Sequence, residues 1–436
     1  MPDHATSTSP AVQAQLDRLV TLSPGADVLG LSRITELLDR LGNPHLRLPP
    51  VFHVAGTNGK GSTCAFLRAA LEADGYRVHA YTSPHLVRFN ERIRIAGRLI
   101  EDDALAHLLD RVLAVAEGIG ASFFEVTTAA AFLIFAETPA DACIIEVGLG
   151  GRLDATNVLV DPAACGIAQL GIDHEAFLGS SATGIAREKA GIAKAGRPLV
   201  TLAYPPDIAA AVAEVANAAG ARLLMEGRDW SFTTDDGLRY RDAAGLVAAP
   251  SPGLTGAHQY GNLALAAAML RHQDRISISP DAIAHAATAA RWPARMQRLG
   301  VGPLTALLPP GIPLWLDGGH NPAAAGAVAD TLGRLLHGRK ADLIVAMLAN
   351  KDAAGFLAPF APHAASLTAV PIPGHDHHAP AALAAIGRDL AIESTTATDV
   401  RAVLSSLAER GTRAVAILGS LYLAGEVLAA NDQWPD

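Results

Sequence analysis

Val51-Phe52-His53-Val54-Ala55 runs directly into Gly56-Thr57-Asn58-Gly59-Lys60-Gly61-Ser62-Thr63. The first five residues read as a buried strand. Beyond the glycines, Phe66, Leu67, Ala70 and Leu71 fall on one helical face, and Gly75 stops the helix. A glycine-rich turn between strand and helix offers backbone N–H groups and the positive helix end to an anion. Thr57, Asn58, Gly59, Lys60, Gly61 and Ser62 are therefore expected to cradle phosphate, with Lys60 at the terminal phosphates. The spacing departs from G-x-x-x-x-G-K-[ST], because Gly56 and Gly59 are three apart and Gly61 separates Lys60 from Ser62.

The same rhythm continues outward. Strands are expected over 77–81, 142–147, 164–170 and 198–203, helices over 102–117 and 127–136, and a small hairpin over 91–100 turning at Ala96-Gly97. Residues 230–250 alternate around Asp236-Gly237 and read as a hairpin excursion, after which helices over 262–270 and 281–290 close this half. Trp292-Pro293 interrupts the pattern, and a second series follows: strand 314–316, helix 322–336, strand 342–347 and so on to strand 414–418. The expected class is α/β, with a P-loop-type domain and mostly parallel sheet over 1–290, a linker at 291–300, and a smaller Rossmann-like α/β domain over 301–436.

At 436 residues the chain is too long for a minimal binding module, and 50% hydrophobic against 18% charged residues excludes a largely disordered one. With 34 basic against 43 acidic residues the net charge is −9, which disfavours nucleic acid as a partner. Cys64, Cys143 and Cys165 lie in apolar contexts with no C-x-x-C pair, as reduced core thiols do. Residues 1–18 lack the basic and then apolar order of a signal peptide, and no apolar run approaches the ~18 residues that span a bilayer. A cytoplasmic protein without a membrane partner, monomeric by default, is expected. The chain has five lysines, Lys60, Lys189, Lys194, Lys340 and Lys351, against 29 arginines. An amine can lose its proton and act as a nucleophile where a guanidinium cannot, so the lysines mark places where amine chemistry or shape matters.

Glu146 ends an apolar strand and needs a partner; beside a phosphate site the choice lies between Mg²⁺ and a salt bridge to Arg152. Asp173-His174 follows the 164–170 strand, and Arg187-Glu188-Lys189-Ala190-Gly191 lies in a helical stretch, so His174 offers a second metal ligand. Gly374-His375-Asp376-His377-His378 sits among Pro371, Pro373 and Pro380, which reads as an exposed loop rather than a zinc site. In Asp317-Gly318-Gly319-His320-Asn321-Pro322, Asp317 either accepts from a nucleotide hydroxyl or an ammonium, or belongs to a capped turn.

Taken together, G-T-N-G-K-G-S at 56–62, Tyr81-Thr82-Ser83-Pro84-His85-Leu86, E-V-G-L-G-G-R-L-D-A-T-N at 146–157, D-H at 173, R-E-K-A-G-I at 187 and H-N-P at 320 resemble the folylpolyglutamate synthase/dihydrofolate synthase family of the Mur ligase superfamily. The resemblance runs from Leu29-Gly30-Leu31 to Gly419-Ser420-Leu421-Tyr422. It implies an ATP-dependent ligase in which the γ-phosphate passes to a carboxylate of dihydropteroate or of a folate tail, and the amine of L-glutamate attacks the acyl phosphate.

By that resemblance the first domain binds ATP and the second is the glutamate-ligase domain, with ATP between them. Lys60 and the loop amides hold the β and γ phosphates, Ser83 and Glu146 one Mg²⁺, and His174 helps hold a second. Lys189 matches a lysine that becomes carbamylated, giving a carboxylate-like ligand. Asn262, Arg295 and Asp317 meet the nucleotide. Leu29, Gly30, Leu31, Arg33, Phe124, Glu125, Leu153, Asp154 and Ala155 take the pterin and benzoyl part, and glutamate lies near His320. Local departures are Ala168-Gln169-Leu170-Gly171, Asp317-Gly318-Gly319 and Arg295-Met296-Gln297.

Three rivals stay open at the level of sequence. A P-loop phosphotransferase uses the same Lys60, Glu146 and Mg²⁺ but releases a stable phosphorylated product. A regulatory nucleotide-binding module leaves the ligand-type residues at 83, 146, 174 and 189 unexplained. A peptidoglycan amino-acid ligase lacks the pterin-type segments. Whether one or both glutamate additions occur depends on pocket shape, which motifs do not encode.

Overall fold

The computed structural model describes residues 5–22 and 29–436. The reading of residues 1–18 falls partly outside them; its described part contains most of the helix Pro10–Leu22. The chain forms two compact units. One holds the residues up to Gly253 with Gln259–Arg291 and Asp436, and the other holds Leu254–His258 with Trp292–Pro435.

In the first unit the strands are β1 (Val51–Ala55), β2 (Val78–Tyr81), β3 (Ile93–Ile95), β4 (Arg98–Leu99), β5 (Ala142–Glu146), β6 (Ala164–Ile167), β7 (Pro198–Thr201) and β8 (Arg222–Met225). They form one sheet in the order β4-β3-β2-β5-β1-β6-β7-β8. From β2 to β8 every pairing is parallel, and the β3–β4 hairpin adds an antiparallel edge. β1, β5, β6 and β7 are buried along their whole length, which is why they read as unbroken apolar runs rather than alternating ones. The helices Pro10–Leu22, Ser32–Arg40, Asp102–Ala116 and Phe123–Glu137 share a core with Tyr81, Phe89, Cys143 and Ile145. The helix Lys60–Ala73 packs on β1, β2 and β5.

Two expectations are corrected. The helix placed at 127–136 starts at Phe123, because Ser122 and Glu125 cap it reciprocally: Ser122 Oγ accepts Glu125 N at 3.2 Å and Glu125 Oε2 accepts Ser122 N at 2.7 Å. The excursion at 230–250 is a three-stranded antiparallel sheet, β9 (Trp230–Thr233), β10 (Leu238–Asp242) and β11 (Gly245–Ala249), rather than a single hairpin. Arg271 pins it to the unit through two hydrogen bonds to Asp242, at 2.7 and 2.6 Å.

The second unit has β12 (Gln297–Arg298), β13 (Leu314–Leu316), β14 (Ala341–Val345), β15 (Ala364–Ala369), β16 (Ser394–Thr396) and β17 (Val415–Leu418) in the order β12-β13-β17-β14-β15-β16. Every pair except β12–β13 is parallel. Its core gathers Trp315, Leu332, Leu343, Phe356, Phe360 and Leu367. The three cysteine thiols are free and buried, and burial pushes each of them upward in pKa. No helix of the described residues is long and apolar enough to cross a membrane.

Candidate active site

In a parallel sheet all strands end on the same side, so the loops after β2, β5, β1 and β6 meet at one edge. After β1, Gly56-Thr57-Asn58-Gly59 leads into the helix that starts at Lys60. Both glycines are required by close approaches. A Cβ at Gly56 would stand 2.9 Å from Ala168 Cβ, and one at Gly59, where φ is +85°, would run into Asn262 Oδ1.

β6 fixes the loop from the other side. Gln169 O accepts the backbone N–H of Thr57 at 2.8 Å and of Asn58 at 3.2 Å, and Gln169 Oε1 accepts Asn58 Nδ2 at 2.9 Å. Thr57 Oγ1 donates to Gly171 O at 2.8 Å. Sequence reasoning treated Ala168-Gln169-Leu170-Gly171 as a departure and missed that these residues shape the cradle; nothing local signals a pairing 111 positions away.

The β1–β5 register sets Val54 beside Glu146, so this carboxylate arrives at the end of β1. Glu146 is buried; Oε1 lies 4.0 Å from Lys60 Nζ, and Oε2 accepts Ser83 N at 3.3 Å. Arg152 is engaged elsewhere, donating to Glu188 Oε1 at 3.0 and 2.8 Å. The loop carrying Ser83 is tied down by Glu91, whose carboxylate accepts the N–H groups of Leu86, Val87 and Arg88 at 2.8, 2.8 and 2.6 Å. Arg92, buried against Phe89 and Phe123, donates to His85 Nδ1 at 2.9 Å and was likewise not singled out.

Lys189 lies on the helix Ala182–Ala190 and is buried. Burial and the nearby Lys60 charge push its pKa down to about 7, against the opposing pull of Asp173 and Asp154. His174 heads the short helix Glu175–Leu178 in an exposed left-handed conformation, φ 53°, with its N–H on Asp173 Oδ1 at 2.8 Å.

The three expected substrate segments also meet. Leu31 packs into the core beside the helix Ser32–Arg40, Leu29 and Gly30 precede it half-buried, and Arg33 Nε donates to Glu125 Oε2 at 3.0 Å. Phe124 lies against Gly148, where a Cβ would strike its ring. Asp154 organises the 149–157 loop, accepting Leu149 N at 2.8 Å, Thr156 N at 2.9 Å and Thr156 Oγ1. Leu153 and Ala155 flank it. Beneath that loop, Thr156 Oγ1 accepts from His53 Nε2 at 2.9 Å.

Asn262, in the first unit, faces Gly59 and donates to Gln259 Oε1 at 2.9 Å. Arg295, Asp317 and His320 belong to the second unit. Asp317 closes a turn there, accepting Met296 N and Gly319 N at 2.7 Å each, and Arg295 Nη1 donates to Ala294 O at 2.8 Å. His320 Nδ1 donates to Gly318 O at 3.0 Å, which makes Nε2 the acceptor nitrogen. In the proline-flanked loop His375 stacks on Tyr422 at 3.9 Å, while His377 and His378 meet the carbonyls of His375 and Lys351.

Among the described residues no three His, Cys, Asp or Glu side chains are grouped for a metal. Magnesium asks for less: one or two carboxylates, a hydroxyl, phosphate oxygens and water. The buried Glu146 with Ser83 beside it fits that requirement, and the glycine cradle leaves room where a Cβ would intrude.

No protein-family model matches the chain. It is 35% identical over 339 residues to the dihydrofolate synthase/folylpolyglutamate synthase of Escherichia coli K12, covering 76% of this chain and 74% of that one. A probable bifunctional folylpolyglutamate synthase/dihydropteroate synthase of Halobacterium salinarum is 35% identical over 93% of this chain, which spans about half (49%) of that longer protein. Among solved structures, E. coli FolC in complex with DHPP and ADP superposes with a TM-score of 0.86 at 31% identity, covering 98% of each chain. A bifunctional folylpolyglutamate synthase/dihydrofolate synthase with Mn, AMPPNP and L-glutamate bound superposes with a TM-score of 0.84 at 33% identity, over 98% of this chain and 99% of that one.

Proposed function

Since the chain belongs to the folylpolyglutamate synthase/dihydrofolate synthase family, we propose that the carboxyl edge of the first sheet is its ATP and metal site and that the reaction passes through an acyl phosphate. The protein is an ADP-forming ligase that adds L-glutamate to dihydropteroate and to the γ-glutamyl tail of tetrahydrofolate. In the proposed sequence an acceptor carboxylate oxygen attacks the γ-phosphorus in line, and the bond to the bridging oxygen breaks to release ADP. The neutral amine of glutamate then attacks the acyl carbon, and phosphate leaves as the amide forms.

The observation that carries this reading is the buried Glu146 carboxylate 4.0 Å from Lys60 at the ends of adjacent parallel strands. In the proposal Lys60 and the N–H groups of residues 57–62 hold the β and γ phosphates, with Asn262, Arg295 and Asp317 as further nucleotide contacts. Ser83 and Glu146 hold one magnesium ion, and His174 with carbamylated Lys189 a second. Magnesium, when bound, neutralises phosphate charge. The segments at 29–33, 124–125 and 153–155 take the pterin and benzoyl groups, and His320 Nε2 is set to receive the proton that the glutamate ammonium sheds.

The proposal further assigns residues 1–290 to ATP binding, 291–300 to a linker and 301–436 to the glutamate-ligase domain, in a cytoplasmic monomer with small-molecule substrates and no nucleic-acid partner. A charge of −9 and three free, buried thiols support that setting. Phosphate release from Mg·ATP with L-glutamate and either 7,8-dihydropteroate or tetrahydrofolate tests the reading. Release with both acceptors is expected, each product heavier by one glutamyl unit; turnover with neither overturns it.

A further inference from the structure

The second unit carries a cleft of about 410 Å³ that involves none of the residues assigned above. It opens where β14, β15, β16 and β17 begin, at the opposite end of the sheet from the Asp317–His320 turn that follows β13. Arg339, Lys340, Arg410 and Arg413 line it, and all four are exposed.

Several arginines of the chain are matched to acids: Arg33 to Glu125, Arg77 to Asp141, Arg111 to Glu137, Arg197 to Asp161. None of the four cations of the cleft forms an ion pair among the described residues. Of the two carboxylates in the lining, Asp342 accepts Ser366 Oγ at 2.6 Å and Thr412 Oγ1 at 2.5 Å. Glu393 is the other carboxylate of the lining. Arg339 Nε donates to Leu336 O at 3.2 Å, and the remaining donors of three guanidinium groups and an ammonium share one concavity in a chain of net charge −9.

The geometry points to a binding site for a compact polyphosphate, either inorganic or the phosphate chain of a nucleotide, held in the cleft of Arg339, Lys340, Arg410 and Arg413 away from the reaction centre. Guanidinium forks match phosphate oxygens two at a time, and a polyphosphate packs the most charged oxygens into so small a volume. Lys340 and the arginines crowd their like charges together, and a multivalent anion relieves that repulsion.

Calorimetric titration of inorganic tripolyphosphate into the full chain, saturated with Mg·ADP and at about 150 mM salt, tests this. One site is expected in the wild type, weakened at least about tenfold in Arg410→Ser/Arg413→Ser and less in Arg410→Lys/Arg413→Lys. Both positions are exposed, so melting temperature and basal ligase rate stay at wild-type values. GTP in a parallel arm separates the sources: tighter binding than tripolyphosphate marks a nucleotide, equal or weaker binding the inorganic ion. The proposal is overturned by absence of binding, by undiminished affinity in the serine variant, or by a γ-glutamyl oligomer binding as well as tripolyphosphate.

Discussion

Lys60 Nζ stands 4.0 Å from Glu146 Oε1, near enough to attract and too far to donate a hydrogen bond. The two opposite charges, Glu146 buried and Lys60 nearly so, attract each other without bridging. Removing either charge takes from the other the opposite charge that faces it. Lys60→Met and Glu146→Gln are each expected to lower phosphate release by at least about a hundredfold and to cost about 3 kcal/mol of stability. The double variant should regain most of the stability and none of the activity. Denaturant melts and phosphate assays on all four proteins check this; an active double variant would refute the assigned roles.

Gly59 tests the cradle by shape alone. Gly59→Ala meets a left-handed φ of +85° and the side chain of Asn262, so ATP affinity should fall at least tenfold, with about 1–2 kcal/mol of stability lost. Adding Asn262→Ala removes the collision but not the backbone strain. Nucleotide titration should therefore show the double variant no tighter than Asn262→Ala alone.

Lys189 carries a titration signature. Its native pKa of about 7, against an ordinary value of 10.5, makes about half of the amine neutral at pH 7 and most of it by pH 8, the form that adds carbon dioxide. With ¹³C-labelled carbon dioxide at fixed concentration, a carbamate carbon signal should grow from about pH 6 to 8 and vanish in Lys189→Arg. A signal that rises only near the ordinary lysine range, or persists in the arginine variant, contradicts the carbamate.

His53 supplies an acid-stability prediction. Burial, aided by the Lys194 charge, pushes it down to about 3 from 6.5, and its Nδ1 has no partner among the described residues. Between those values the unfolded chain binds a proton that the native state refuses. The contribution is therefore complete above pH 6.5 and is lost as pH falls toward 3, at no more than about 1.4 kcal/mol per pH unit. His53→Gln keeps a donor for Thr156 without the titration. Its stability should decline less steeply over that window, as acid-denaturation curves of the two proteins will show.

What the sequence made legible was local. β1, β13 and the helix Pro322–Leu336 follow from short apolar runs and nearby glycine or proline, and they stand at the expected residues. The start of Phe123–Glu137 was also local, written in the Ser122-x-x-Glu125 capping signature, and was overlooked. The rest came from register and long-range pairing. Arg33 finds Glu125 across 92 positions, Glu146 reaches Lys60 because β5 pairs with β1, and Leu254–His258 joins the second unit from within the first. No periodicity within a segment encodes which other segment lies beside it. The family resemblance named residues for the site, whereas the supporting roles of Gln169 and Arg92 are visible only in the fold.

The clasp of Gln169 on Thr57 and Asn58 also sets a schedule for synthesis. The loop leaves the ribosome 111 residues before the side chain that holds it. Until β6 has emerged and inserted beside β1, the glycine turn lacks its mould, and on the proposed assignment ATP retention waits for that strand. On the proposed assignment nucleotide capture follows the insertion of β6, before β7 and β8 complete the sheet, and chains stalled before residue 169 should pass through an ATP affinity column unretained.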